Sequence, residues 1–121
     1  MRYDVCIVGG SVAGLSTALH ICSEVDATIV IIDKGEIGDP TKTSPFTFPE
    51  TVEKYGLHNA VLQSYTKYTY RSPSGISATW EYREPAFVTL DYQELCKNLL
   101  MRARKEGSFE VFQNTKVVDF E

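Results

Sequence analysis

The feature that most constrains this chain is the run Gly9-Gly10-Ser11-Val12-Ala13-Gly14, set between an apolar stretch and an amphipathic one. Tyr3 to Val8 is short, β-branched and apolar, which predicts a buried parallel strand ending in a tight turn. Beyond the turn, Val12, Leu15, Leu19 and Cys22 recur at helical spacing, with Ala13 and Ala18 as small packing residues. Val12 to Ser23 therefore reads as a helix. Ala27 to Ile32 is a second apolar strand, closed by Asp33-Lys34-Gly35. Strand, glycine turn, helix, strand and terminal acid fit within about 30 residues, the size of a βαβ unit.

The glycine run occupies the place of a G-x-G-x-x-G fingerprint, and each small position has a task there. Gly9 allows the strand-to-helix turn, and Ser11 marks the point where the backbone approaches a pyrophosphate. Gly14 lets the helix pack close to the strand, and the helix N-terminus supplies free N–H groups and a positive dipole. Ser11 stands where the fingerprint has its second glycine; it is small, and its hydroxyl can donate to a phosphate. Asp33 lies 19 residues beyond Gly14 at the end of the second strand. A carboxylate there accepts hydrogen bonds from a ribose 2′-OH and repels a 2′-phosphate, which disfavours NADP. The competing reading is a glycine turn in a βαβ unit that binds nothing.

The composition changes after Gly38. Residues 39–49 hold three prolines and four Thr or Ser, which rules out a regular helix or a central strand. Thr51 to Gln63 reads as a helix capped by Thr51, with Val52, Tyr55 and Ala60 packing. Tyr65 to Tyr70 alternates like a strand, Arg71 to Gly75 is a turn and Ile76 to Tyr82 returns, so a hairpin or meander is expected. Pro85 to Leu90 is another extended piece. Asp91 caps the clearest helix, which runs to about Lys105 with Leu95, Leu99, Leu100 and Ala103 on its apolar stripe and Gly107 at its end. Phe109 to Phe112 and Lys116 to Phe120 read as two short strands.

Several function classes are disfavoured by the whole chain. At 121 residues it is long enough for one domain with its own core. The net charge is −4 and the pI near 5.2, with Lys and Arg scattered, so nothing points to a nucleic-acid partner. No run of 18 or more apolar residues marks a transmembrane segment, and the N-terminus lacks the regions of a secretory signal, so a cytoplasmic location is expected. Cys6, Cys22 and Cys96 are odd in number, widely spaced and without a C-x-x-C pair, and read as small buried hydrophobes. His20 and His58 have no partners at metal-ligand spacing, so no metal is expected. Ser11, Ser16 and Ser23 lack the G-x-S-x-G context of a hydrolase nucleophile.

The residues Asp4 to Ser16 resemble the opening of FAD-dependent oxidoreductases, a group that includes geranylgeranyl reductases, lycopene cyclases and aromatic hydroxylases. Ile37-Gly38-Asp39-Pro40-Thr41-Lys42 resembles the segment leading into the flavin-side loop of the geranylgeranyl reductase branch. Asp91-Tyr92-Gln93-Glu94-Leu95, followed by Leu99, Ala103 and Gly107, resembles that branch's helix after its first β excursion. The resemblance covers almost all of this chain but only about the first third of a family member. It implies pyrophosphate contacts at Gly9, Ser11, Ala13 and Gly14, a ribose contact at Asp33 and a backbone contact to adenine at Val117. It also implies that Lys42, Thr43 and Ser44 lie along the pyrophosphate or flavin. Three departures accompany it: Thr43 and Ser44 stand where the reductases carry cysteine and glycine, Tyr92 stands where an arginine is expected, and the flavin-facing Gly-Asp motif of the C-terminal half is absent.

The expected fold is α/β: a Rossmann-like FAD-binding βαβ unit over 1–38, an inserted β-rich segment over 39–90 belonging to a substrate domain, and helix and strands over 91–121 returning to the FAD-binding domain, in a fragment of a longer chain. The expected function is flavin-dependent redox chemistry on a small apolar substrate, in particular reduction of isoprenoid double bonds. No residue here is assigned to catalysis, and no turnover is expected from this chain alone. Phe46, Phe48, Tyr65, Tyr68, Tyr70 and Trp80 suit either the wall of an apolar substrate cavity or the packed face of a core strand. One alternative is an NAD-binding domain of another oxidoreductase, although the helix and strands after Asp91 favour FAD. The other is a non-catalytic nucleotide-binding or assembly domain, in which an unpaired sheet edge would favour self-association.

Overall fold

The computed structural model describes residues 2–119. In chain order the elements are β1 (Val5–Val8), α1 (Val12–Glu24), β2 (Ile29–Ile32), β3 (Phe46–Thr47), α2 (Pro49–Tyr55), β4 (Val61–Tyr65), β5 (Lys67–Arg71), β6 (Ser77–Glu81), β7 (Phe87–Leu90), α3 (Tyr92–Glu106) and β8 (Phe109–Phe112). They form two compact units. The first takes the residues up to Lys42 and those from Tyr92 onward, and the second takes Thr43–Asp91.

The first unit is α/β. Its sheet has the order β1-β2-β8, with both pairings parallel and Val5 opposite Ile29 opposite Phe109. Parallel strands cannot be joined by tight turns, so each connection runs through a helix or through the second unit. The apolar face of α1 puts Leu15, Ala18 and Cys22 inside, against α3, which contributes Leu95, Cys96, Leu99 and Ala103. Central strand β2 is buried at Ile29, Val30 and Ile31, which explains its unbroken apolar sequence. Ladder bonding starts later than the sequence suggests, at Val5 and Ile29 rather than Tyr3 and Ala27. Before those points Asp4 and Thr28 are joined across the strands, the Asp4 N–H donating to the Thr28 carbonyl and the Asp4 carboxylate accepting the Thr28 N–H, each at 2.9 Å.

Cys22 and Cys96 are buried as expected, but Cys6 is exposed. Alternation along β1 explains it: Ile7 faces α1, so Cys6 and Val8 project from the opposite side of the strand, and Val8 is also exposed. A further difference lies after Phe112. Residues 113–119 form no strand: Asn114 adopts a left-handed conformation (φ 53°), and the N–H groups of Asn114 and Thr115 turn back to the carbonyls of Gly35 and Asp33. Phe120, the expected end of that strand, lies outside the described residues.

The second unit is mostly β, with an antiparallel sheet ordered β3-β7-β4 and a two-stranded ribbon of β5 and β6. The helix expected over Thr51 to Gln63 is shorter and starts earlier. Phe48 is its N-cap, Pro49 opens it, and Gly56 ends it in the left-handed conformation (φ 63°). A single tight turn at His58–Ala60 follows, and Val61 enters β4, where pairing with β7 overrides any helical preference. Along the ribbon, Tyr68, Tyr70, Ala78 and Trp80 share one face. The other carries a Lys67–Glu81 ion pair (3.2 Å) and a Thr69–Thr79 hydroxyl bond (2.9 Å). Phe87 packs with Phe46, Phe48, Tyr68 and Tyr82. These aromatics form a surface cluster and not a core strand face, since Phe46 is 68% exposed and Trp80 49%.

Ile31 has no exposed surface and sits in the strand paired on both sides, whereas Ile76 is 73% exposed. Ile31→Ala is expected to lose about 3 kcal/mol of stability through lost burial and a residual cavity. Ile76→Ala is expected to change stability by less than about 0.5 kcal/mol. Urea unfolding of both variants checks this, and equal losses would contradict the assigned core.

Candidate nucleotide site

The turn between β1 and α1 is shaped by a close backbone approach. Gly9 has φ 105°, a region that side chains disfavour, and its N–H continues the sheet by donating to the Ile32 carbonyl at 2.8 Å. A Cβ on Gly14 would lie 1.9 Å from the Gly9 carbonyl oxygen and 3.4 Å from Ile7 Cγ2. Only hydrogen fits there, so α1 begins against the end of β1. Ser11 is the N-cap residue with extended backbone, its side chain makes no capping bond, and the first turn of α1 holds no acidic residue. No acidic residue of the helix's own first turn offsets the positive dipole of its leading N–H groups.

Asp33 ties the turn to the end of β2. One carboxylate oxygen accepts the Gly10 N–H at 2.5 Å and the other accepts the Gly35 N–H at 2.8 Å. The bond from Gly35, then that from Gly10, holds the carboxyl below the ordinary carboxylate range; partial burial opposes the shift, and the charges of Lys34 and Lys42 assist it. Asp33 is therefore a fixed, ionised acceptor beside the glycine turn, with lone pairs left over.

Lys42 and Tyr92 lie within electrostatic reach of it, and Asp39 and Cys96 adjoin those two. Asp39 closes a local turn, its carboxylate accepting the Thr41 N–H at 2.9 Å and the Thr41 hydroxyl at 2.7 Å; these two bonds, the hydroxyl's first, lower its pKa. Lys42 lies within electrostatic reach of both Asp33 and Asp39. Tyr92, on the first turn of α3, is half-buried and bonded to the Cys96 thiol. Burial first, then that bond and the charges of Asp33 and Asp39, push its pKa up to about 12, so it is a hydroxyl donor at any physiological pH. Burial raises the Cys96 thiol as well, against the opposing effect of hydrogen bonds from Tyr92 and the Gly38 N–H.

The residues picked out from sequence are only partly brought together. Gly9, Ser11, Ala13 and Gly14 form the turn, Asp33 bonds to its second glycine, and Lys42 lies within electrostatic reach of Asp33. Val117 is half-buried in the irregular segment that Asn114 and Thr115 fasten to the Asp33–Gly35 turn. Thr43 and Ser44 are exposed and belong to the second unit, so the expected loop is divided after Lys42. Asp39 was overlooked as a site residue, although Asp-Pro-Thr is a readable turn signature. Nothing in the sequence marks Cys96 as the partner of Tyr92. Among the described residues no group of three His, Cys, Asp or Glu could hold a metal ion, and no helix is long and apolar enough to cross a membrane.

No family model matches this chain. Several solved structures share its fold. A geranylgeranyl bacteriochlorophyll reductase-like protein from Thermoplasma acidophilum is similar at TM-score 0.74 and 19% identity, over 93% of this chain and 30% of that one. A variant of the halogenase PltM in complex with FAD matches at TM-score 0.65 and 18% identity, over 96% of this chain and 28% of that one. The p-nitrophenol 4-monooxygenase PnpA from Pseudomonas putida matches at TM-score 0.65 and 19% identity, over 91% and 31%. At these identities the likeness is one of fold, and the chain spans about 30% of the length of the proteins it matches.

The lowered pKa of Asp33 carries a sign. A carboxyl depressed by native hydrogen bonds adds stability above its unfolded pKa, about 3.9, and loses it as pH falls through the folded value. The stability gap between the native chain and Asp33→Asn is expected to stay constant above about pH 5 and to shrink below about pH 4. Urea midpoints at pH 7, 5 and 3 check it; an equal gap at pH 7 and pH 3 would contradict the account.

Proposed function

We propose that this chain is the FAD-binding N-terminal region of a flavin-dependent oxidoreductase, acting in the cytoplasm on a small apolar substrate. The observation that carries the reading is the uncapped N-terminus of α1, pressed onto β1 through Gly14, with the Asp33 carboxylate fixed beside it. The donor set suits a dinucleotide. The N–H groups of the first turn and the Ser11 hydroxyl would face the pyrophosphate, while the Gly10 N–H is already committed to Asp33. Asp33 would accept from the adenosine ribose, Lys42 would offset phosphate charge, and the segment carrying Val117 would approach adenine. The similar fold of the PltM variant in complex with FAD supports FAD over NAD.

The flavin would supply hydride transfer, and the protein would supply binding, position and electrostatics. Reduction of isoprenoid double bonds is the substrate chemistry we favour. It is supported by the likeness to a geranylgeranyl bacteriochlorophyll reductase-like protein and by the exposed aromatic cluster around Phe87, which suits an apolar chain. On this reading residues 43–91 belong to a substrate domain, and the chain alone binds the cofactor without turnover.

The test is a thermal-shift and visible-absorbance titration with FAD, with NAD as the comparison. FAD is expected to stabilise the chain saturably and more than NAD. Ser11→Asp places a carboxylate at the N-cap, which caps the helix but occupies the phosphate position. That variant is expected to melt no lower than the native chain and to bind FAD at least about tenfold more weakly, because a fixed negative charge then opposes the pyrophosphate. FAD binding unchanged in Ser11→Asp, or absent from the native chain, would overturn the reading in favour of a non-catalytic domain.

A further inference from the structure

The β5–β6 ribbon is unfinished as a sheet. Every residue of both strands is exposed, and among the described residues no third strand joins either edge. A two-stranded ribbon is marginal alone and presents a row of unpaired backbone groups along each side. We propose that the β6 edge is a self-association surface whose partner is β6 of a second copy of this chain, the two ribbons forming one four-stranded antiparallel sheet.

The phase of the backbone fixes what faces outward. At the two ends of the ribbon the Ser72 N–H donates to the Ile76 carbonyl and the Tyr82 N–H to the Thr66 carbonyl, each at 2.8 Å. Bonded pairs alternate along an antiparallel ladder, so Ala78 and Trp80 turn their backbone groups toward β5, while Ser77, Thr79 and Glu81 turn theirs away. Two copies of β6 related by a two-fold axis at Thr79 pair along the whole strand: Ser77 with Glu81, Ala78 with Trp80, and Thr79 with itself. In that register the outward groups of Ser77, Thr79 and Glu81 meet their counterparts. No like charges stand opposite, and each Glu81 is already paired with Lys67 of its own ribbon. On the aromatic face each Trp80, 49% exposed, lies across from a small Ala78 of the second copy.

The β5 edge has the opposite character. Pairing two copies of β5 along the whole strand sets Lys67 against Arg71 twice, and like charges directly opposite destabilise a sheet. Cations on an edge strand are a guard against such pairing. The ribbon therefore has one guarded edge and one self-complementary edge. A two-fold contact through β6 closes on itself and leaves only guarded β5 edges outside, so assembly stops at a dimer.

The test is sedimentation equilibrium of the full chain over a range of concentrations, for the native protein, Thr79→Lys, Thr69→Lys and Thr79→Pro, with thermal melts to confirm folding. The two lysine variants are matched, because the Thr69 and Thr79 hydroxyls bond to each other and either change removes that bond. At the axis a residue meets its own copy, so Thr79→Lys opposes two like charges, whereas Thr69→Lys lies on the far strand. The native chain is expected to form a dimer and nothing larger. Thr79→Lys is expected to weaken it about fivefold and Thr69→Lys by less than about twofold. Thr79→Pro removes an outward N–H and no bond within the ribbon, and is expected to abolish the dimer. A native chain that stays monomeric at every concentration or grows beyond a dimer would overturn the proposal. So would a dimer that Thr79→Lys leaves unchanged, or that Thr69→Lys weakens equally.

Discussion

Everything in the first unit converges on the point where β1, β2 and α1 meet, and two contacts hold that point. One is steric: Gly14 sits so close to the Gly9 carbonyl that no side chain can intervene. The other is electrostatic: the Asp33 carboxylate bridges Gly10 and Gly35 and so joins the glycine turn to the end of the neighbouring strand. Together they orient the first turn of α1. A helix whose first turn holds no acidic residue and no side-chain cap keeps a partial positive charge at its leading N–H groups. The strands and the helix pair behind it serve to keep that charge in place.

Much of this arrangement was legible in the residues, because its causes are local. A β-branched run, small residues at fixed offsets, an amphipathic stretch and a terminal acid each follow from backbone geometry over a few positions, and the parallel β1–β2 pair follows from their order. The second unit was less legible where long-range pairing decided the outcome. Thr51 to Gln63 has helical character throughout, but Gly56 breaks it, and the residues from Val61 find their partner in β7, more than 20 positions away. Lys116 to Phe120 reads as a short strand, yet strand character needs a neighbour, and residues 116–119 join no ladder among those described. The same limit applies to Cys6, whose exposure depends on which face of β1 the helices cover.

The surroundings of Asp33 show a similar division. Its own position could be read from spacing, but the set of side chains facing it could not. Lys42 comes within its electrostatic reach just after a turn closed by Asp39 and Thr41, and Tyr92 does so from a helix about 60 residues later in the chain. That helix is brought there by the packing of Gly38 on Cys96, a contact between two residues that look ordinary in sequence.

The central claim is that the start of α1 and the Asp33 turn together receive a dinucleotide, and an amide-resolved NMR titration of the isotopically labelled chain with FAD tests it most directly. The account predicts saturable shifts at the amides of Ser11 to Gly14, at Gly35 and at Thr41, with the β5–β6 ribbon unmoved. Saturable shifts confined to the aromatic cluster around Phe87, or no shifts at the glycine turn at saturating FAD, would contradict it.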